Sequence, residues 1–357
     1  MRTVRPMSLI GRGLVLAGVA VVATAGTAFA NSDVSKTTSG SNDNGTLGAE
    51  VKGVTVTSSN QPGSSSKPIS ASGADWTPPP CWIGPIGGPA EFKKMVEKQV
   101  KDTDDYPGQP SYAMEAMDEY RRHYAEGYTW DGGGDGYKNY NLDQEGKGKF
   151  WGPFENDRSN SPDRFDCNST LPMWVPNGQL PPAGTPNVIS TDMLAKVAAA
   201  HTKVPGVEIA TNPRGTQTVN LPTWVKLQEN FAPVVVRATL DLGGGASLWA
   251  ETRATTDGVH IDPGTPDAQV FPSGGDCPRA ADGSVGADYN GDPKATPPCG
   301  VTYQRSTQNR GPFQLNVTAV WNVTWTGSDG NGGTFNPPAT ITDPTPITVR
   351  EIQTVNR

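Results

Sequence analysis

The sequence predicts a mainly β protein, with an α-containing N-terminal part and an antiparallel immunoglobulin- or PKD-like β-sandwich at its C-terminus. Three observations predict it. The chain of 357 residues carries 42 Gly and 33 Pro, which favours short strands joined by turns over a helical bundle. From Leu221 onward, short apolar-rich runs are punctuated by Gly, Asp and Pro, the pattern of antiparallel strands. Within them, Leu315, Val317, Ala319, Trp321, Val323 and Trp325 alternate with Asn316, Thr318, Val320, Asn322 and Thr324. A period of two held this long marks a strand, Gln314 to Trp325, in a sheet covered on one side.

In chain order, the first 30 residues carry Arg2, Arg5 and Arg12, then an apolar run from Leu14 to Ala25, then Ala28-Phe29-Ala30. That order is a Sec-type signal peptide cleaved before Asn31; about 12 apolar residues are too few to span a bilayer. The expected location is extracellular or cell-surface, with no transmembrane segment after cleavage. Removal of a segment with three Arg and no acid takes the net charge from −7 to −10. An acidic chain without a basic block is a poor nucleic-acid ligand.

Residues 31–75 are rich in Ser, Thr and Gly and read as a disordered stalk, with Val51 to Val56 as a candidate edge strand. Residues 76–186 form a helical and irregular segment rich in Cys and aromatics. Helices are expected over about Pro89 to Lys101, with Phe92, Met95 and Val96 on one face, and Ser111 to Glu126, with Met117, Tyr120 and Tyr124 buried and Gly127 as the stop. Residues 128–186 read as irregular. Residues 187–357 form the β-sandwich domain, led by a helix near Thr191 to Thr202 that Pro205-Gly206 ends. Further strands are expected at Val234 to Leu242, Ser247 to Thr255, Val301 to Arg305 and Ile347 to Thr354.

Four cysteines, Cys81, Cys167, Cys277 and Cys299, form bridges in an oxidising compartment. Of the three pairings, Cys81 with Cys167 and Cys277 with Cys299 is favoured, because each pair then lies inside one segment. No two lie at zinc-knuckle spacing.

Catalytic patterns are sparse. His123, His201 and His260 are the only histidines; they sit late in one helix, on the apolar face of another and beside Asp262, and no His-Glu-x2-His occurs. The segments around Ser284 and Ser247 each lack a glycine of the nucleophile elbow. Asp131 with Asp135, and Glu251 with Asp257, are the carboxylate pairs to weigh for glycoside hydrolysis. Asp288, Asn290 and Asp292 alternate like oxygen ligands of a calcium loop, but Pro293 stands where the turn glycine belongs; apart from Ca2+ there, no cofactor is expected. Tyr128, Trp130, Tyr137 and Tyr140 flank a Gly-Asp loop without core periodicity and are the candidate recognition surface.

The segments Leu221-Pro222-Thr223-Trp224-Val225, Cys299-Gly300-Val301-Thr302-Tyr303-Gln304-Arg305-Ser306, Trp321-Asn322-Val323-Thr324-Trp325-Thr326-Gly327-Ser328 and Glu351-Ile352-Gln353-Thr354-Val355-Asn356 together resemble a group of secreted actinobacterial proteins of undefined function. The resemblance covers roughly 190–357, with an echo around Cys81 and Cys167, and implies no catalytic residue. Labels such as ATP/GTP-binding protein or enoyl reductase, carried by that group, find no phosphate-binding glycine motif here. The expected function is a non-catalytic display or interaction protein of the cell envelope, whose partner is an envelope protein or polysaccharide. The alternative is a secreted hydrolase acting on polysaccharide or peptide.

Overall fold

The computed structural model describes residues 46–48, 53–59, 66–69, 79–130, 136–156, 159–292 and 295–352. The signal peptide, Asp131, Asp135 and most of the expected stalk lie outside them.

Along the chain, strands β1 (Thr46–Gly48) and β2 (Val54–Ser59) precede β3 (Cys81–Gly87), helix α1 (Pro89–Asp104) and helix α2 (Ser111–Glu126). Then come β4 (Gly148–Glu155), β5 (Met173–Pro176), helix α3 (Thr191–Ala200), β6 (Ile209–Asn212), β7 (Pro222–Leu227), β8 (Val234–Gly243) and β9 (Ala246–Thr255). The chain closes with β10 (Gly258–Asp262), β11 (Ala268–Phe271), β12 (Asp276–Pro278), β13 (Gly300–Tyr303), β14 (Phe313–Gly327) and β15 (Gly332–Ile347). The fold is mainly β, and its sheets are antiparallel except for a short parallel pair joining 349–350 to 217–218.

Eight strands form the largest sheet, in the order β1-β2-β8-β9-β14-β10-β12, with β15 also paired to β14. Strand β15 runs along β14 from Phe313 opposite Ile347 to Thr326 opposite Gly332, so β9 and β10 share the other edge of β14. The alternation read from the sequence holds: Leu315, Val317, Ala319, Trp321 and Val323 are buried, while Val320, Asn322 and Thr324 are exposed. Helix α3 and a four-stranded sheet, β11-β13-β7-β6, supply the rest of the core. Phe231 stacks on Trp321 (centroids 5.5 Å apart), and Tyr303 of β13 on Phe313 of β14 (5.2 Å). Both expected disulfides are formed, Cys81–Cys167 and Cys277–Cys299.

Three expectations differ. Within the expected stalk, the candidate edge strand forms as β2 but is not an edge: it lies between β1 and β8 and buries Val54 and Val56, so a short alternating run gains through sheet pairing what it lacks alone. The irregular stretch 128–186 contains β4 and β5, which with β3 make a three-stranded sheet; Gly148, Gly152 and Pro153 in β4 mask its strand pattern. Of the strand expected at Ile347 to Thr354 only Val349–Arg350 forms, in the short parallel pair with 217–218; the long strand before it, β15, ends at Ile347 and was not expected. Its four prolines argue against a central strand, yet β15 is an edge: Pro337 and Pro338 fall in the bulge between Phe335 and Ala339, and Pro344 and Pro346 have no inward N–H to lose.

Residues Ile83, Trp151, Cys167 and Val175 join the same core as β7 to β15, so the expected segments 76–186 and 187–357 share it. A second, smaller core holds Phe92, Val96, Met117, Tyr120, Tyr124, Tyr140 and Phe150. It lies where α1 and α2 cover β3 and β4, and the site is built on it.

Candidate functional site

Helix α2 presents Glu119, Arg122 and His123 over its last two turns and stops at Gly127, whose φ of 82° is the left-handed conformation a glycine cap supplies. The chain then folds back over the helix. The Tyr128 amide bonds the Arg122 carbonyl (3.2 Å), and the Tyr137 amide bonds the His123 carbonyl (3.0 Å). The two ends of the Gly-Asp loop are thereby pinned together. A side chain at Gly136 would collide with the Gly127 backbone, so the neck of the loop requires glycine there.

His123 is buried at the centre. Its Nδ1 lies 2.8 Å from the Tyr128 carbonyl oxygen, so Nδ1 carries the proton and donates. The Trp130 ring lies on the imidazole, centroids 4.9 Å apart at 29°. Trp130 Nε1 donates to Glu119 Oε2 (3.0 Å), and the Tyr128 hydroxyl to Oε1 of the same carboxylate (3.3 Å). Partial desolvation and the Glu119 charge push the Tyr128 phenol above its ordinary pKa. The Arg122 guanidinium covers the Tyr128 ring at 4.6 Å, and Tyr128 meets Trp130 edge-on. Trp130 nonetheless remains 44% exposed. It is an indole fixed at its edge and on one face, with the other side open to solvent.

The other two aromatics of the expected surface belong to the core. Tyr137 is half-buried, stacks on Tyr124 (5.2 Å) and accepts from the Trp174 amide (3.2 Å). Tyr140 is 2% exposed and bonds Glu97; burial and that carboxylate drive its phenol well above the usual range. The four residues therefore do not make one surface. Tyr140 escapes a periodicity search because it sits in an irregular turn at φ 55°, where local sequence does not report burial.

The expected calcium ligands make protein contacts of their own. Asp288 is engaged by Lys226 at 2.6 Å, and Asn290 Oδ1 accepts the Asp292 amide within its own turn. Among the described residues no group of three or more His, Cys, Asp and Glu side chains is arranged to hold a metal ion.

Nor do the catalytic candidates assemble. His201 caps α3. His260 Nδ1 meets Asp276 Oδ1 at 2.8 Å on the neighbouring strand rather than Asp262. Ser284 bonds Asp282 within its turn, and Ser247 stands opposite Asp241 in the β8–β9 hairpin. Glu251 is ion-paired with Arg237.

One cluster carries no signal in the sequence. On the outer face of the large sheet, register sets Arg237 directly opposite Glu251, and the guanidinium lies over the Trp249 ring at 4.1 Å. Their separation along the chain hides them; only the β8–β9 pairing brings them together. Among the described residues no helix is long and apolar enough to cross a membrane. Compared with protein-family models, with curated proteins and with solved structures, the chain finds no match.

Proposed function

We propose that this is an exported, non-catalytic interaction protein of the cell envelope, which meets its partner through Tyr128 and Trp130. Its large and small sheets form an immunoglobulin- or PKD-like sandwich that carries the contact outside the membrane, after removal of the N-terminal signal peptide. The same reading accommodates the resemblance to secreted actinobacterial proteins. The observation that carries it is the state of Trp130, 44% exposed while stacked on His123 and bonded to Glu119. An aromatic ring already ordered in the free protein loses little conformational entropy on contact, which is the usual property of an interface anchor. The scattered positions of the three histidines and the self-contained turns of the candidate serines favour this reading over a hydrolase.

The test is cross-linking of the mature chain, residues 31–357, to envelope fractions, followed by binding of each recovered partner in purified form to wild type and to Trp130→Ala. At least a tenfold weaker affinity for the variant is expected. Turnover in a broad glycosidase and peptidase screen, abolished by changing one acid to its amide, would establish the hydrolase instead.

A further inference from the structure

Among the described residues the dipeptide Asn-Gly occurs at Asn177-Gly178, Asn290-Gly291 and Asn331-Gly332. The fold holds the three asparagines differently. Asn177 Nδ2 donates to the Gly146 carbonyl at 2.7 Å, its Oδ1 packs against Gly243, and the Gly178 amide donates to the Leu242 carbonyl at 3.0 Å. Asn331 is exposed, but its side chain is drawn back onto Asp329, with Nδ2 2.6 Å from Oδ2. Asn290 and Gly291 are both exposed, and nothing lies within 4 Å of a Cβ placed at Gly291. Asn290 Oδ1 accepts from the Asp292 amide at 3.0 Å, which folds the side chain forward over the Gly291 peptide. Among the described residues no group accepts from the Gly291 amide.

We propose that Asn290 is a site of spontaneous deamidation, and that the fold protects Asn177 and Asn331 from the same reaction. The Gly291 nitrogen attacks Asn290 Cγ and gives up its proton to water; the bond from Cγ to the side-chain nitrogen breaks, and that nitrogen leaves, protonated, as ammonia. The five-membered succinimide so formed takes up one water at either carbonyl and opens to aspartate or isoaspartate. The net change is ammonia for water, with no oxidant and no cofactor. Three requirements of the attack meet at Asn290: the following residue has no Cβ to block approach, its amide is not engaged elsewhere, and the side-chain carbonyl is already folded over it and polarised by the Asp292 amide. At Asn177 the nucleophilic amide is held by Leu242. At Asn331 the side chain is tied to a residue on its N-terminal side, away from Gly332. The product places a further negative charge between Asp288 and Asp292, beside the Lys226 that bonds Asp288 at 2.6 Å. The Cys277–Cys299 bridge closes this loop, so the fold survives the change.

Incubation of the purified mature chain in mildly alkaline buffer, followed by peptide mapping that separates asparagine, aspartate and isoaspartate, tests it. In the native protein Asn290 should convert at least tenfold faster than Asn177 and several-fold faster than Asn331. In the same chain reduced and unfolded in urea, the three rates should come within a few-fold of one another, because only the fold distinguishes them. Asp329→Ala, checked first for a retained melting transition, frees the Asn331 side chain and should speed conversion there while leaving Asn290 unchanged. Asn44-Gly45 lies outside the described residues and is read on its own peptide. Native conversion at Asn177 or Asn331 as fast as at Asn290 would overturn the proposal. So would an unconverted Asn290 over the time in which the unfolded chain reacts, or the native ranking kept on unfolding, which would trace it to local sequence.

Discussion

Thr191 Oγ1 donates to Asp329 Oδ2 at 2.8 Å, tying the first turn of α3 to the turn between β14 and β15. Asp329 also accepts from the Asn331 amide and side chain. Desolvation pushes its carboxyl pKa up, but these hydrogen bonds outweigh it and hold the group below its ordinary value. The helix on the inner face is thus locked to the longest hairpin by one carboxylate.

A depressed carboxyl pKa contributes stability that is present above the unfolded value and is lost as pH falls through the folded one. Denaturant melts of wild type should therefore weaken below about pH 4 more than those of Asp329→Asn. Thr191 is 2% exposed, and Thr191→Val, which keeps its shape but removes the donor, should cost about 1 kcal/mol at pH 7.

Tyr140 and Trp130 separate stability from recognition. Tyr140→Ala empties a site in the small core and should destabilise by about 3 kcal/mol or more. Trp130→Ala removes a ring that is 44% exposed and should cost under about 1 kcal/mol, while abolishing partner binding. Urea unfolding of the two variants measures the contrast; equal losses would mean that Trp130 is a structural residue.

The disulfides close loops with sequence separations of 86 and 22 residues. Loop-closure entropy gives about 4.6 kcal/mol for Cys81–Cys167 and about 3.4 kcal/mol for Cys277–Cys299. Replacement of each pair by serine should destabilise in that order, as read by urea midpoints.

Gly136→Ala places a methyl group against the Gly127 backbone, which has no rotamer by which to yield. A loss of about 2 kcal/mol is expected. Because the Tyr137 amide would leave the His123 carbonyl, Trp130 fluorescence should also change; a variant matching wild type in both melting and emission would show that the neck is not tight.

By itself the sequence determined what depends on neighbours along the chain. Gly127 stopping α2 and the alternation in β14 are local signals. Composition pointed to the β-rich class, and cysteine placement favoured, among three pairings, the two bridges that form. The tertiary structure decided whatever depends on pairing between distant segments. Tyr140 is drawn inside because α1, α2 and β4 enclose it, and Val54 and Val56 become core because β8 offers a sheet edge. Strand β15 keeps its prolines because, among the described residues, no strand pairs beyond it. Arg237, Trp249 and Glu251 meet because the β8–β9 register sets them on one face. The physical reason is the same in each case: side-chain periodicity is inscribed in a strand or helix, but the surface it meets is supplied by residues far along the chain.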